Sequence, residues 1–478
     1  MKTDNQAVRL KKEILVRLVK SFFSEDFEKN VHYIPYDMRP KGANVPFRCC
    51  IYKERAIIKD RLIADLGFAI EEDDERSLLS EYAHKALSRT NNSSKNPLTV
   101  LDTACKGCTH SKILVTELCQ GCLARSCQSA CKFEAIQIIN GKSVIDSTKC
   151  KNCKMCISAC PYNAIVKVSA PCEDFCPVDA IGKDEKGVTK IDFEKCILCG
   201  KCIAVCPFAA VHEKSQIIDI LKHLKKESKI IAMIAPSIVG QFPGNIYQLK
   251  SAMLQIGFSD VFEVAMGADV TIKKEAAELE AKIKSGKKFM TTSCCAAYNE
   301  LIEKHLPEIK PFVSETKTPL FYTTEIVKEQ YPDSIKVFIS PCVAKRNEIG
   351  KNKDIDYLLN FEELGAIFIA KNIEIEKLKE SFFDKESSGN ARNFPVSGKV
   401  AAAVSKETKN IDAKAFILNN LNKPNISLLK TYAKSGKCND YNLIEVMCCE
   451  GGCINGNSTI APYKTALKEI NKLTNNDK

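Results

Sequence analysis

The chain has 478 residues, 45% of them apolar and 27% charged, and its formal net charge is +11. This composition predicts a globular protein of about three domains and excludes a disordered chain, a collagen and a small disulfide scaffold. The lysines are scattered along the chain and tryptophan is absent, so the positive charge indicates solvated surface rather than a nucleic-acid interface.

The N-terminal residues contain no apolar core ahead of a cleavage site, and no apolar run is long enough for a membrane span. The best candidate, 230–239, is short and contains Pro236. We therefore expect a cytoplasmic protein without membrane contact. The chain has 25 cysteines, and in a reducing compartment that number indicates metal or redox chemistry rather than disulfides.

The first segment, residues 1–100, is predicted to be mostly helical, because apolar residues recur at helical spacing in 8–23 and 57–70. Its two cysteines, Cys49 and Cys50, are adjacent in sequence. Adjacent cysteines chelate one iron poorly, so we expect both to be packed in the interior.

The second segment, residues 101–212, contains sixteen cysteines. Two runs, beginning at Cys150 and Cys196, have the pattern Cys-x2-Cys-x2-Cys-x3-Cys-Pro. This is the signature of bacterial ferredoxins, in which three cysteines of a run bind one [4Fe–4S] cubane and the fourth binds its neighbour. Structural zinc sites lack this run. We therefore predict a ferredoxin-like domain.

Partial runs supply the ligands that the complete runs lack, and joining them gives four cubanes with no cysteine left over. The predicted ligand sets are Cys119, Cys122, Cys127 and Cys160; Cys131, Cys150, Cys153 and Cys156; Cys176, Cys196, Cys199 and Cys202; and Cys105, Cys108, Cys172 and Cys206. The last set joins residues distant in sequence, and His110 is an alternative ligand there. Such a row of cubanes would carry single electrons between a surface partner and a buried site.

The third segment, residues 213–478, alternates apolar runs with helical patterns, which predicts an α/β domain. Buried strands are predicted at 229–238, 289–295, 336–342 and 399–405, with helices that include 275–284 and 319–329. Strand ends are where α/β folds place their sites. Three cysteine motifs are found in this segment, TSCCAAY (292–298), SPCVAK (340–345) and EVMCCEGGC (445–453).

Thiolates from three distant loops that converge on one site indicate a metal cluster, and their spacing is not that of ferredoxins. Gly451 and Gly452 are expected to let the backbone approach such a cluster closely. The three motifs resemble, in the same order, the active-site signatures of the [FeFe]-hydrogenases. Ala296, where the best-known members have proline, and the sequence RCCIYKERA at 48–56 resemble the group B branch of that family.

The resemblance implies a multidomain α+β and α/β fold, with ferredoxin-like [4Fe–4S] modules followed by an α/β domain that carries an H-cluster. In that family the H-cluster is a [4Fe–4S] cubane joined by a cysteine sulfur to a diiron unit with CO, cyanide and azadithiolate ligands. At matching positions the cubane ligands would be Cys295, Cys342, Cys449 and Cys453. Cys453 would also bridge to the diiron unit, which maturation proteins would supply.

The resemblance also implies a proton path. Cys294 would be the free thiol beside the diiron unit, and Glu278, Ser314 and Glu275 would relay protons to it. A relay needs groups that both give and take protons at hydrogen-bond spacing. By spacing alone, Glu275 and Glu278 are three residues apart and indicate a solvated helix face.

Four further residues match positions around the diiron unit. Pro236 and Ser237 would belong to a loop that contacts one cyanide, Lys345 would hydrogen-bond the other, and Met447 would pack against the unit.

Other positions depart from the pattern of the well-known members. They are Ser340 in place of methionine, Leu320 in place of glutamine, Gly456–Asn457 in place of a glycine run, and the extra Cys438 and Cys448, which we expect to be structural.

The function expected from the resemblance is the reversible reaction 2H⁺ + 2e⁻ ⇌ H₂, with ferredoxin or a similar soluble carrier as the electron partner. Three alternatives stay open. An H₂ sensor is disfavoured because only 25 residues follow Cys453, and a non-catalytic iron–sulfur assembly protein is disfavoured by Cys294. A plain electron carrier would leave residues 213–478 without a role.

Overall fold

The computed structural model describes residues 5–42, 48–90, 96–108 and 112–475. The first segment is helical, and its helices bury apolar stripes against one another and against the C-terminal segment. The helices are α1 (Gln6–Phe22), α2 (Phe27–Met38), α3 (Ile51–Asp65) and α4 (Leu79–Ser88).

The prediction that Cys49 and Cys50 are packed in the interior is wrong. Cys49 is exposed and Cys50 is half-buried. Cys50 stands immediately before α3, and its Sγ accepts a hydrogen bond from the backbone N–H of Lys53 at 3.4 Å. The side chain therefore satisfies a free donor at the start of the helix instead of joining the apolar face.

The cysteine-rich segment consists of short strands and single helical turns. Its strands form four two-stranded antiparallel sheets: β1 with β8, β2 with β5, β3 with β4, and β6 with β7. In chain order the elements are β1 (Leu98–Val100), β2 (Lys112–Val115), α5 (Ser126–Ser129), β3 (Ile136–Ile139), β4 (Lys142–Ile145), α6 (Met155–Ala159), β5 (Ile165–Val168), α7 (Pro171–Asp174), β6 (Ile181–Lys183), β7 (Thr189–Ile191), α8 (Lys201–Val205) and β8 (Val211–Glu213).

These elements form two copies of one module, and the first copy is inserted into the second. Residues 112–168 contain one complete set of strands. The second set is closed by β1, which precedes the insertion and pairs with β8 in the register Leu98↔Glu213. The pairing brings residues 98–108 back to 170–213 across the inserted module.

The C-terminal segment contains two parallel sheets flanked by helices. In chain order its elements are α9 (Ile217–Lys225), β9 (Ile230–Ile234), α10 (Ile246–Ile256), β10 (Asp260–Glu263), α11 (Ala265–Lys284), β11 (Met290–Thr291), α12 (Ala296–His305), α13 (Pro319–Gln330), β12 (Ile335–Ile339), α14 (Ala344–Lys351), β13 (Tyr357–Leu359), α15 (Phe361–Ala370), α16 (Gly389–Arg392), α17 (Lys399–Glu407), β14 (Ala415–Asn419), α18 (Lys423–Ser435), β15 (Leu443–Met447) and α19 (Tyr463–Asn475). Short 3₁₀ turns occur at Ile70–Glu72, Pro236–Ile238, Pro307–Phe312, Ile375–Lys377 and Cys453–Asn455.

One sheet has the strand order β10-β9-β12-β13 and the other the order β11-β15-β14. Most of their strands are buried apolar runs, and helices connect them, so the mixed α+β and α/β fold class expected from the sequence is confirmed. In the described part of the chain, no helix combines the length and apolar character needed to cross a membrane.

One predicted strand is wrong, because residues 399–405 lie in helix α17. The run is rich in alanine, which favours a helix, and Gly398 before it has a φ of +86°. The carboxylate of Glu445 accepts the backbone N–H groups of Gly398 and Ala401, at 2.6 and 2.8 Å, and so satisfies the start of the helix.

Helices α11 and α13 approach so closely that only glycine fits at Gly267. A Cβ atom there would lie 2.0 Å from the carbonyl oxygen of Pro319. We expect Gly267→Ala to lower the free energy of unfolding by about 2 kcal/mol, because the two helices must move apart. Gly350→Ala is the matched control, since that helical position is open. Equal thermal unfolding curves for both variants would contradict the prediction.

Candidate functional site

The leading Cys-x2-Cys pairs of the cysteine-rich segment, which begin at Cys105, Cys119, Cys150 and Cys196, share one backbone turn. The residue before the second cysteine of each pair has a positive φ: Gly107 (+61°), Gly121 (+59°), Asn152 (+54°) and Leu198 (+55°). A left-handed residue at this position folds the loop back on itself and makes a concave nest of backbone N–H groups suited to an anionic cluster. The pair at Cys105 and Cys108 therefore has the same local geometry as the complete ferredoxin runs.

Two of the predicted ligand sets each surround one cavity. The first cavity is lined by the predicted set Cys119, Cys122, Cys127 and Cys160. The second is lined by Cys131, Cys150, Cys153 and Cys156. Within the described ranges, no three His, Cys, Asp or Glu side chains converge as on a single metal ion.

The third predicted set is packed into the core of the second module. Cys176, Cys196 and Cys202 are buried, and Cys199 is half-buried beside them. Burial raises the pKa of the Cys202 thiol well above its usual range, and the negative charges of Cys199, Cys196 and Cys176 raise it further. The four thiols are therefore close neighbours.

The structure brings three members of the fourth set together, across the inserted module. Cys105 and Cys172 both approach Thr189, at 3.5 and 3.9 Å from its Oγ1, and Cys206 lies near Cys172. The fourth member, Cys108, ends the loop that begins at Cys105, and the alternative ligand His110 lies outside the described residues.

A buried arginine from the first segment borders the fourth set, and no motif or spacing in the sequence points to it. Arg61 of α3 is 3% exposed and donates hydrogen bonds to the carbonyl oxygens of Phe208 and Ala209. Its guanidinium also lies near the thiol of Cys206. Because a fixed cation favours added negative charge, Arg61 would ease the reduction of a cluster if these cysteines hold one.

The three C-terminal cysteine motifs meet because each follows a parallel strand. Cys294 and Cys295 follow β11, Cys342 follows β12, and Cys449 follows β15. Burial raises the pKa of the Cys342 thiol to about 12, and the charges of Cys449 and Cys295 contribute to the shift. The strand ends of two different sheets therefore form one site.

Cys453 completes this group of four thiols. Burial raises the pKa of its thiol well above the usual range, and the charges of Cys449, Cys295 and Cys342 raise it further. Its side chain also has accessible surface. The four thiols are therefore close neighbours with accessible space beside Cys453, an arrangement that fits a bulky cluster.

The loop after β9 supplies a second indication of a missing polar group. Ser237 is 1% exposed, and its Oγ has no hydrogen-bond partner within the described chain. A buried hydroxyl without a partner is costly, typically by about 1–3 kcal/mol. The Ser237 hydroxyl therefore fits a site that binds a polar, non-protein ligand. Pro236 begins the short turn that places this hydroxyl.

Glu275 of α11 lies between the surface and Cys294. It is fully buried, and burial raises the pKa of its carboxyl from 4.5 to about 7, although Ser314 and the backbone of Ser293 approach it. Neither carboxylate oxygen makes a hydrogen bond of ordinary geometry to any described residue. Burial raises the pKa of the Cys294 thiol well above its usual range, and the negative charges of Glu275 and Cys295 raise it further.

Glu278 continues this path towards the surface. The hydroxyl of Ser314 donates to Glu278 Oε2 at 2.8 Å, and Lys282 pairs with Oε1 at 2.9 Å. Burial raises the pKa of Glu278, but hydrogen bonds from the Glu315 backbone, Thr316, Lys282 and Ser314 outweigh it, so its pKa is lowered. The solvated helix face that the spacing of Glu275 and Glu278 indicates is therefore wrong for Glu275, because this side chain is fully buried.

The remaining predicted residues also border the thiols. Lys345 is half-buried and pairs with Glu348 at 2.5 Å, near the thiols of Cys342 and Cys294. Met447 is 3% exposed and packs in a cluster with Cys294. The ion pair of Lys345 with Glu348 was missed, although the i,i+3 spacing on α14 is a signal for it.

Glu445 is another missed member of the site. It is fully buried on β15, and its negative charge raises the pKa of the Cys294 thiol.

Gly451 and Gly452, expected to let the backbone approach a cluster, also lie against other parts of the protein. A Cβ atom at Gly451 would lie 2.6 Å from the ring of Tyr463, and one at Gly452 would lie 2.3 Å from the carbonyl oxygen of Pro395. Both glycines are required by neighbouring protein.

Comparison with protein families gives three matches. The iron only hydrogenase large subunit, C-terminal domain, matches residues 228–457, an LdpA Fe-S cluster-binding domain matches 166–217, and a 4Fe-4S binding domain matches 143–166. These ranges include the three C-terminal cysteine motifs and both complete ferredoxin runs.

Curated relatives include three hydrogenases. Iron hydrogenase 1 of Clostridium pasteurianum is 30% identical over 384 residues, covering 68% of this chain and 66% of that protein. The periplasmic [Fe] hydrogenase large subunit of Nitratidesulfovibrio vulgaris is 27% identical, covering 51% and 72%. The NADP-reducing hydrogenase subunit HndD of Solidesulfovibrio fructosivorans is 26% identical, covering 68% and 58%. The chain thus spans between 58% and 72% of these relatives.

Solved structures with a similar fold include an [FeFe]-hydrogenase from Chlamydomonas reinhardtii. It is 19% identical, the match covers 52% of this chain and 88% of that chain, and the TM-score is 0.42. A structure from work on [FeFe]-hydrogenase oxygen inactivation is 20% identical, with coverage of 53% and 87% and a TM-score of 0.42.

Proposed function

Because the chain is an [FeFe]-hydrogenase-like protein with a ferredoxin-type 4Fe–4S region, we propose that it interconverts protons, electrons and H₂. The observation that carries the proposal is the position of Cys294. This half-buried thiol, whose pKa is raised well above its usual range, lies close to both Glu275 and the group of four further thiols. A proton route and a cluster site therefore meet at one side chain.

Cys295, Cys342, Cys449 and Cys453 would hold the cubane of an H-cluster, with Cys453 shared with the diiron unit. When bound, the H-cluster supplies the diiron centre with CO, cyanide and azadithiolate ligands at which the H–H bond is made or broken. Around it, Lys345 offers a half-buried cation to an anionic ligand, and Ser237 offers a hydroxyl without a partner in the described chain. Maturation proteins would insert the diiron unit.

Protons would enter at Glu278, which is half-buried, and pass through the Ser314 hydroxyl to Glu275 and then to Cys294. The first of these contacts is a hydrogen bond of 2.8 Å. Glu275 has a pKa of about 7, so it both accepts and releases protons near neutral pH.

Electrons would travel through the four accessory cubanes of the two modules. We place the entry at the inserted module, because Leu123 is 97% exposed in the loop that lines the cavity of Cys119 and Cys122. Leu118 and Tyr162, close in sequence to ligands of the same cavity, are also exposed. A soluble ferredoxin is the partner we propose for this apolar surface, in the cytoplasm.

We expect Cys176→Ser to remove or alter one accessory cubane and to slow electron entry by about tenfold. Cys176 Sγ accepts a hydrogen bond from the backbone N–H of Ala180 at 3.2 Å, so the loop fixes its position. Iron content and electron paramagnetic resonance (EPR) spectra of the reduced protein measure the loss. Cys438→Ser, at a buried cysteine outside the ligand sets, is the control, and the prediction fails if the two variants retain equal iron.

An infrared spectrum tests the proposed function. The protein is produced anaerobically together with hydrogenase maturation proteins, and CO and cyanide stretching bands that shift on addition of H₂ are expected. A hydrogenase matured in parallel serves as the control. If that control shows its bands while this protein, with full cubane content, shows none, the proposal is wrong and an assembly or electron-carrier role takes its place.

A further inference from the structure

Two residues at which the chain departs from the family pattern, Cys448 and Asn457, meet the same accessory-cubane loop. Cys448 is 3% exposed, and its thiol lies beside those of Cys199 and Cys449. Cys199 belongs to the third accessory set and Cys449 to the active-site set. One buried thiol therefore contacts a ligand of each cluster.

Asn457 holds the backbone of the same loop. Its Nδ2 donates to the carbonyl oxygen of Cys199 at 3.2 Å, and a Cβ atom at Gly200 would lie 1.8 Å from that nitrogen. Gly200 has a φ of +71°, so glycine is required there by conformation as well as by space. The amide of Asn457 thus lies against the loop with no intervening atom.

Lys201, two residues after Cys199, links the same loop to residues 420–421. Its Nζ donates to Asn420 Oδ1 at 2.6 Å and to the carbonyl oxygen of Leu421 at 2.5 Å. The backbone N–H of Leu421 in turn donates to the carbonyl oxygen of Cys448 at 3.2 Å. The contact between Cys199 and Cys448 is therefore held by polar bonds on both flanks.

We propose that Cys448 is a positioning residue that couples the accessory cubane of Cys176, Cys196, Cys199 and Cys202 to the active-site cubane. In the step it serves, the reduced accessory cubane loses one electron and the active-site cubane gains it; no bond or proton changes. The inference rests on the proposed function. Hydrogen bonds to cluster sulfurs raise the reduction potential, because they stabilise the added negative charge.

Cys438 shows what a purely structural cysteine looks like in the same core. It is 1% exposed and contacts Tyr432. Cys438→Ala removes the same atom as Cys448→Ala from a buried site, so it is the matched control for lost packing.

The test uses the full chain reconstituted with cubanes but without the diiron unit. The midpoint potentials of the cubanes are titrated by EPR, and arrival of the electron at the active-site cubane is followed after rapid mixing with dithionite. For Cys448→Ala we expect a more negative potential of the accessory cubane and transfer slower by about tenfold. Cys448→Ser, which keeps a donor, should titrate close to the unmodified protein.

An unchanged potential and rate in Cys448→Ala would overturn the inference, and so would equal shifts in Cys438→Ala. If Cys448→Ala does not hold its cubanes, Asn457→Ala is the deciding variant. Slower electron transfer in Asn457→Ala supports the proposed coupling of the two cubanes, and an unchanged rate overturns it. Because these readouts need neither the diiron unit nor H₂, failure of the infrared test leaves them interpretable, and the two proposals fail separately.

Discussion

Cys294→Ala is expected to lower H₂ turnover by about 100-fold or more, while the iron content and infrared bands stay those of the unmodified protein. The thiol is the last protein group between Glu275 and the cluster site, and burial keeps it protonated. Alanine fills nearly the same space but carries no transferable proton. Turnover is measured in both directions with an artificial electron carrier, so that partner docking does not limit the rate.

Cys438→Ala again supplies the control for losing a buried sulfur. It should retain normal turnover. Near-normal turnover in Cys294→Ala would remove this thiol from the proton path, and loss of cluster content in that variant would show a ligand role instead.

Glu275→Gln is expected to lower turnover by about 100-fold, because an amide neither accepts nor releases a proton at neutral pH. The change keeps the shape of the side chain. Glu280→Gln is the control on the same helix, since Glu280 accepts hydrogen bonds from the Lys409–Asn410 loop outside the path. If both variants lose the same activity, a general disturbance of α11 explains the result rather than a relay.

For Glu275→Gln we also predict a change in how the free energy of unfolding depends on pH, which is independent of turnover. The carboxyl of Glu275 has its pKa raised from 4.5 to about 7 by burial. Its contribution to stability is full below pH 4.5 and is lost as the pH rises to about 7, because the unfolded chain gains charge that the folded protein resists. The loss is about 3 kcal/mol, and Glu275→Gln should lack it. Anaerobic unfolding at several pH values measures the difference, and parallel curves would contradict it.

Local spacing was informative wherever the site is built from short loops. The two ferredoxin runs and the partial runs predicted four sets of cysteines, and two of those sets line separate cavities. The covalent pattern suffices there because neighbouring cysteines in a tight turn have few ways to face one cluster.

Apolar pattern alone misjudged two places. Residues 399–405 are helical because alanine-rich apolar runs suit a buried helix as well as a strand, and only the contact with Glu445 at the start of α17 decides. Cys49 and Cys50 were expected inside, but their position just before α3 leaves Cys49 exposed.

The sequence by itself determined the chemistry of this protein: which thiols are present, how they are spaced, and which family they resemble. Only the tertiary structure decided which distant groups meet. It closes the second module with β1 across an insertion, buries Glu275 beside Cys294, and places Cys448 between Cys199 and Cys449. Such contacts depend on strand pairing and helix packing over many residues, and no local periodicity encodes them.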